Sequence, residues 1–127
     1  MIEKKILFID DDDTTRSVLK DFMSSIDYFV KIVSNADDAM AILQTEDFPL
    51  IITDLKMPGI DGVELCKKIR EINQKSVIYA LFGQLTVFDH ENLTQIGFDG
   101  YLCKPVKFDS LKHAIVGAFD KLKRDDL

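Results

Sequence analysis

The chain has 127 residues, of which 46% are apolar and 30% charged, and it carries a formal net charge of −6. That length suits one globular domain that needs no disulfide or metal staple, and no run approaches the ~20 consecutive apolar residues of a membrane-spanning helix. Its 22 acidic against 16 basic side chains argue against direct nucleic-acid binding, and the opening MIEKKILFID lacks a signal peptide's apolar run, so a cytoplasmic protein without membrane contact is expected.

Lys5–Ile9 (KILFI) reads as a first strand, followed by a helix with Val18, Leu19, Phe22, Met23 and Ile26 on one face. Phe29–Val33 (FVKIV) is the second strand, and Lys31 in its middle suits a sheet edge. A second helix buries Ala36, Ala39, Met40 and Leu43 behind a cap at Ser34 or Asn35. The third strand is Leu50–Thr53 (LIIT). The third helix opens near Asp61, with Glu64 three residues on, and carries Val63, Cys66, Ile69 and Ile72. Val77–Phe82 (VIYALF) is the fourth strand, and Thr86–Ile96 is the weakest helical pattern of the chain.

Gly97 and Gly100 then mark a turn into the fifth strand, Tyr101–Cys103, and the last helix runs from about Phe108 through Leu111, Ile115, Ala118, Phe119 and Leu122. The basic cluster Lys121–Arg124 places positive charge on that helix's last turn. Cys66 and Cys103 form no C-x-x-C pair and sit in apolar segments, so both are expected as buried, reduced thiols. Strand–helix alternation of this kind gives an α/β fold with a doubly wound parallel sheet, helices on both faces.

Acidic residues gather where strands end. Asp10, Asp11, Asp12 and Asp13 follow the first strand directly, Asp54 follows the third, and Lys104 follows the fifth. In a parallel sheet these positions share one edge, the edge at which open α/β sheets bind ligands. Asp12 and Asp13 also suit the cap and first turn of the first helix. Asp54 has no such explanation, because Leu55-Lys56-Met57-Pro58-Gly59 is a turn and not a helix start. Lys104 precedes Pro105, which restricts its backbone to extended conformations. Crowded carboxylates call for a hard divalent cation, and with a lysine beside them they read as a phosphoryl-transfer site.

These segments resemble the receiver domain of bacterial two-component response regulators, over roughly residues 4–122. The carriers are KILFIDDDDTTR, LIITDLKMPGIDGVEL around Asp54, and GFDGYLCKP ending at Lys104-Pro105. The resemblance implies a flavodoxin-like (βα)5 sheet of order 2-1-3-4-5. It implies Asp54 as phosphoacceptor, and Asp10 and Asp11 as the acid pair for Mg²⁺ (or Mn²⁺), with the Lys56 backbone carbonyl completing the protein's share. Lys104 and the Gly83 backbone N–H would contact the phosphoryl group, and the Lys104–Pro105 peptide would be cis. Lys56 and Gln84 would flank the site where the family tunes hydrolysis. Implied partners are a histidine kinase or phosphotransfer protein, a downstream protein target and, through the fourth and fifth helices, a second copy of the chain. A receiver fills residues 1–127 as a single domain without an output domain, so the signal is expected to be read by binding.

One position departs from the family pattern. Counting back from Lys104, the Thr or Ser that ends the fourth strand is replaced by Phe82, which has no hydroxyl to donate. In the family that hydroxyl couples phosphorylation to an aromatic residue on the fifth strand, here Tyr101. Phosphorylation of Asp54 with weakened or altered coupling is therefore expected, and Thr86 is too far into the following helix to substitute.

Two rival readings follow from the same residues. A receiver-like module that binds partners without phosphorylation is motivated by Phe82. Alternatively, Asp10-x-Asp12-x-Thr14 fits the D-x-D-x-T pattern of haloacid dehalogenase-like phosphatases, with Asp10 as nucleophile and Asp12 as general acid. That pattern is easily met inside a run of aspartates and leaves Asp54 and Lys104 unexplained. Neither His90 nor His113 has an evident triad partner, and no phosphate-binding glycine loop is present.

Overall fold

A computed structural model describes residues 2–83 and 90–126. The strands β1 (Lys5–Ile9), β2 (Phe29–Val33), β3 (Leu50–Asp54), β4 (Val77–Phe82) and β5 (Gly100–Cys103) alternate with helices. These are α1 (Asp13–Met23), α2 (Ala36–Leu43), α3 (Gly62–Ile72), α4 (His90–Ile96) and α5 (Phe108–Asp125). Every pairing is parallel and the order is β2-β1-β3-β4-β5, the doubly wound arrangement expected from the sequence. The chain passes from β1 outward to β2 and then crosses back to β3. The connections leaving β1 and β3 therefore run to opposite faces and open a crevice at the carboxyl edge.

Side-chain alternation along the strands supplies two cores. Leu7, Ile9, Ile51, Ile78 and Ala80 face α2, α3 and α4, where they meet Ala39, Leu65, Cys66, Ile69 and Leu93. Ile6, Phe8, Leu50, Ile52 and Leu81 face α1 and α5, against Leu19, Phe22, Leu111, Ile115 and Phe119. Both faces of the central strands are covered, which is why they read as continuous apolar runs. Three helices begin on side-chain caps, Asp12, Asn35 and Asp61, each accepting from the backbone N–H three residues on. None of the described helices is long and apolar enough to cross a membrane.

Some expectations are corrected. Cys66 is buried, but Cys103 is exposed. β5 is last in the strand order, and its side chains alternate between the sheet faces: Leu102 packs against the α1 and α5 core, while Tyr101 and Cys103, on the other face, remain exposed. Val18, Ile72 and Phe108 lie on predicted apolar faces yet remain exposed; Ile72 is the last residue of α3 and Phe108 the first of α5. Leu65, absent from the predicted face of α3, is fully buried. Ile26 lies beyond the end of α1 and packs from the following loop. α4 spans His90–Ile96; Gln84 and Thr86 lie outside the described residues.

Two charged ties brace the edge opposite the acids. Arg70, near the end of α3, donates to the carbonyls of Gly97 (2.9 and 2.7 Å) and Ser76 (2.7 Å) and to Asp99 (2.9 Å). Asp99 also accepts from the Ile78 N–H and the Lys121 ammonium, so α3, β4 and α5 meet at one carboxylate. On the β2 side, Glu46 accepts from Lys31 Nζ at 2.8 Å and pairs with Lys5 Nζ at 3.0 Å.

The bond from Lys31 and then that from Lys5 hold the Glu46 carboxyl below its ordinary value of 4.5. A lowered folded-state pKa stabilises the fold above the ordinary value, and that contribution is lost as pH falls through the lowered one. Glu46→Gln is therefore expected to lower Tm at neutral pH, with the gap from wild type closing below pH 4.5. Thermal unfolding across pH checks this, and a gap that persists in acid counts against it.

Candidate functional site

The carboxyl edge of the sheet brings Asp10, Asp11, Asp54 and Lys104 together. Asp10 follows β1, its N–H donating to the Val33 carbonyl at 3.1 Å, and its side chain is fully buried. Oδ1 accepts from the Asp12 N–H at 2.9 Å, a turn that aims the carboxylate across the crevice. Asp54 ends β3 and is 5% exposed. Its Oδ1 accepts from the Lys56 N–H at 3.3 Å and its Oδ2 from Lys104 Nζ at 3.1 Å.

The backbone behind Asp54 is tightly held. Leu55 N–H donates to the Leu81 carbonyl and Gly62 N–H to the Leu55 carbonyl, both at 3.0 Å, and Thr53 Oγ1 donates to the Asp54 carbonyl, also at 3.0 Å. Gly62 makes this possible. A Cβ there would lie 2.1 Å from the Asp54 carbonyl oxygen and 2.8 Å from Leu55 Cα. The sequence offers Gly62 only as the residue after a helix cap; its close approach to Asp54 is a tertiary fact.

Lys104 reaches the acids from the far side. Its N–H donates to the Phe82 carbonyl at 2.8 Å, and the Lys104–Pro105 peptide is cis. Nζ lies 3.0 Å from Asp10 Oδ2 and 3.1 Å from Asp54 Oδ2, so one ammonium bridges two carboxylates. The approach to Asp10 Oδ2 has ion-pair distance without hydrogen-bond alignment, which leaves that buried oxygen without a hydrogen bond. Burial pushes the Asp54 carboxyl above its ordinary value; the Asp10 charge adds to this, while the bond from Lys104 opposes it. For Lys104 burial disfavours the charge, yet the two adjacent carboxylates, Asp10 and Asp54, outweigh it and raise the ammonium's pKa.

Carboxylate oxygens of Asp10, Asp11 and Asp54 lie within 4.8 Å of one another. Asp11 is exposed and makes no hydrogen bond or ion pair among the described residues. An all-oxygen donor set, with one buried oxygen lacking a hydrogen bond, fits a hard divalent cation such as Mg²⁺ or Mn²⁺. Asp12 and Asp13 stay outside this group. Asp12 Oδ2 accepts from Thr15 N–H (2.8 Å) and Oγ1 (2.6 Å), which lowers its pKa, and Asp13 pairs with Arg16. With its carboxylate bound into the helix cap, Asp12 is poorly placed as the general acid of a D-x-D-x-T phosphatase.

Phe82 ends β4 at 6% exposure. Its ring lies 5.5 Å from that of Tyr101, at 35°, and Tyr101 is 40% exposed. Gly83 follows at the same edge and is exposed.

Similarity to known proteins agrees with this geometry. The response regulator receiver domain profile matches residues 6–116. A CheY-like response regulator receiver domain protein from Methanospirillum hungatei superposes with a TM-score of 0.90 at 26% identity, covering 98% of this chain and 99% of that one. The receiver domain of Ssk1 from Saccharomyces cerevisiae, solved with the histidine phosphotransfer protein Ypd1, shares the fold at TM-score 0.81 and 24% identity, over 89% of this chain and 86% of that one. Sensor histidine kinase RcsC of Salmonella typhi is 25% identical over 119 residues, covering 94% of this chain but only 13% of the kinase's length. Profile, fold and sheet-edge chemistry converge, and the chain belongs to the response regulator receiver domains of two-component signalling.

Proposed function

We propose that the chain accepts a phosphoryl group on Asp54 and passes the signal on by protein–protein contact. An Asp54 carboxylate oxygen attacks phosphorus, the bond from phosphorus to the donor breaks, and an acyl phosphate forms. The donor is a phosphohistidine, on a histidine kinase or phosphotransfer protein, or a small phosphodonor. Asp11 and Asp54 would hold the divalent cation directly, Asp10 largely through water, and the Lys56 carbonyl would complete the protein's share. When bound, that cation offsets negative charge on the carboxylates and the incoming phosphoryl oxygens. Lys104 would transfer its contact from Asp54 to a phosphoryl oxygen, and the Gly83 N–H is a second donor at the same edge.

The observation that carries this reading is the Lys104 ammonium bridging Asp10 and Asp54 at the carboxyl edge. Incubation with acetyl phosphate and Mg²⁺ is expected to add one phosphoryl mass to the wild-type chain and none to Asp54→Ala, by intact mass spectrometry. Label persisting in the variant would return the nucleophile to Asp10, as a phosphatase-like reading requires. Kinase or phosphotransfer protein upstream, a protein target downstream, a cytoplasmic setting and self-association through α4 and α5 complete the proposal; neither nucleic acid nor membrane takes part.

The contact between Phe82 and Tyr101 favours a second reading of the output. The Phe82 ring, 5.5 Å from that of Tyr101, would occupy part of the space into which Tyr101 turns. Beryllofluoride with Mg²⁺ is expected to shift amide resonances around Asp10, Asp11 and Asp54 and to leave Tyr101 and α5 nearly unmoved. Large shifts across β5 and α5 would instead show an intact switch. A partner whose affinity ignores the state of Asp54 would make the domain a phosphorylation-independent interaction module.

A further inference from the structure

The run Asp10–Asp13 places four carboxylates on consecutive residues, yet the structure gives each a different surrounding. Asp10 is buried against Lys104, Asp12 caps α1, and Asp13 is bonded by Arg16. Asp11 alone points to solvent beside Asp10 and Asp54 without a partner among the described residues. Arg16 makes one further contact that its helix position does not require. While Nη2 holds the Asp13 carboxylate, Nη1 reaches back six residues and donates to the Asp10 backbone carbonyl at 2.8 Å. One planar guanidinium thus spans the start and the end of the acidic turn, a two-point clasp that a single ammonium cannot reproduce.

We propose that Arg16 is a positioning residue for the cation site, its fork fixing the turn that presents Asp11 while holding Asp13 out of the donor set. This rests on the reading of Asp10, Asp11 and Asp54 as a divalent-cation site. The sign of the effect separates positioning from a simple field. Arg16 is a positive charge near a cation, so its removal by electrostatics alone would tighten binding. Loss of a group that orients ligands weakens binding instead, by about 10-fold or more.

The test is titration with Mn²⁺ followed by electron paramagnetic resonance of the free ion, with no phosphodonor present, on wild type, Arg16→Gln and Arg16→Lys. Thermal unfolding confirms that each chain is folded. The expected result is an Mn²⁺ Kd raised about 10-fold in Arg16→Gln, with Arg16→Lys, which keeps the charge but reaches one oxygen at a time, also weaker than wild type. Equal or tighter binding by Arg16→Gln overturns the proposal, and so does wild-type affinity in Arg16→Lys, which also carries the test if the glutamine variant does not fold. Failure of the wild-type chain to bind Mn²⁺ at all would remove the cation site itself, and the role of Arg16 with it.

Discussion

Gly62→Ala is expected to lower the stability of the fold by about 3 kcal/mol, the upper part of the range for an overpacked interior. Most glycine substitutions fail because the backbone needs a left-handed angle. Gly62 is different: its backbone is ordinary, and the obstacle is the Asp54 carbonyl oxygen 2.1 Å from where the methyl would sit. Neither side can give easily, since Leu55 is hydrogen-bonded to Leu81 and Gly62 to Leu55. The chain would separate α3 from the end of β3 and carry the Asp54 side chain away from Lys104. Urea unfolding measures the loss, and phosphoryl uptake should fall with it even in molecules that remain folded. A loss under about 1 kcal/mol would mean that α3 slides freely on the sheet.

Lys104→Met tests the opposite property of the site, its charge balance. The side chains are similar in length, but the variant leaves Asp10 and Asp54 facing each other without a counter-charge. Removing one partner of a buried ion pair costs roughly 3–5 kcal/mol. The Lys104 head is partly in water, so about 2 kcal/mol is expected here, measured in EDTA. Saturating Mg²⁺ should recover more stability in Lys104→Met than in wild type, because a more negative site binds the cation more tightly and linkage returns that as stability. If Mg²⁺ stabilises both chains equally, the ammonium contributes packing and not charge balance.

The parts of the fold legible in the sequence are those governed by local periodicity. β1, β3 and β4 are covered on both faces and read as nearly continuous apolar runs, and Lys31 announces the β2 edge. β5 is harder. Three residues, Tyr101, Leu102 and Cys103, cannot show whether a run is continuous or alternating, and the strand turns out to be an edge with Cys103 outside. The site was largely legible because the carboxyl ends of parallel strands share one edge, so position after a strand becomes position in space. What could not be read joins residues far apart in sequence. Arg70 with Gly97 and Asp99, Glu46 with Lys5, and Gly62 against the Asp54 carbonyl are visible only after the strands are in register. The sorting of the four aspartates was half legible: Asp12 and Asp13 follow cap rules, but the reach of Arg16 back to Asp10 follows none.

The outward turn of Cys103 has a practical side. The only other thiol, Cys66, is buried, and desolvation pushes it up to about 11, so it stays protonated and unreactive near neutral pH. A maleimide or iodoacetamide dye added to the unaltered chain should therefore attach at one place, the residue immediately before Lys104. Such a fluorophore would sit beside Phe82 and Tyr101 and report, in real time and without engineered cysteines, whether events at Asp54 reach the outer edge of the sheet.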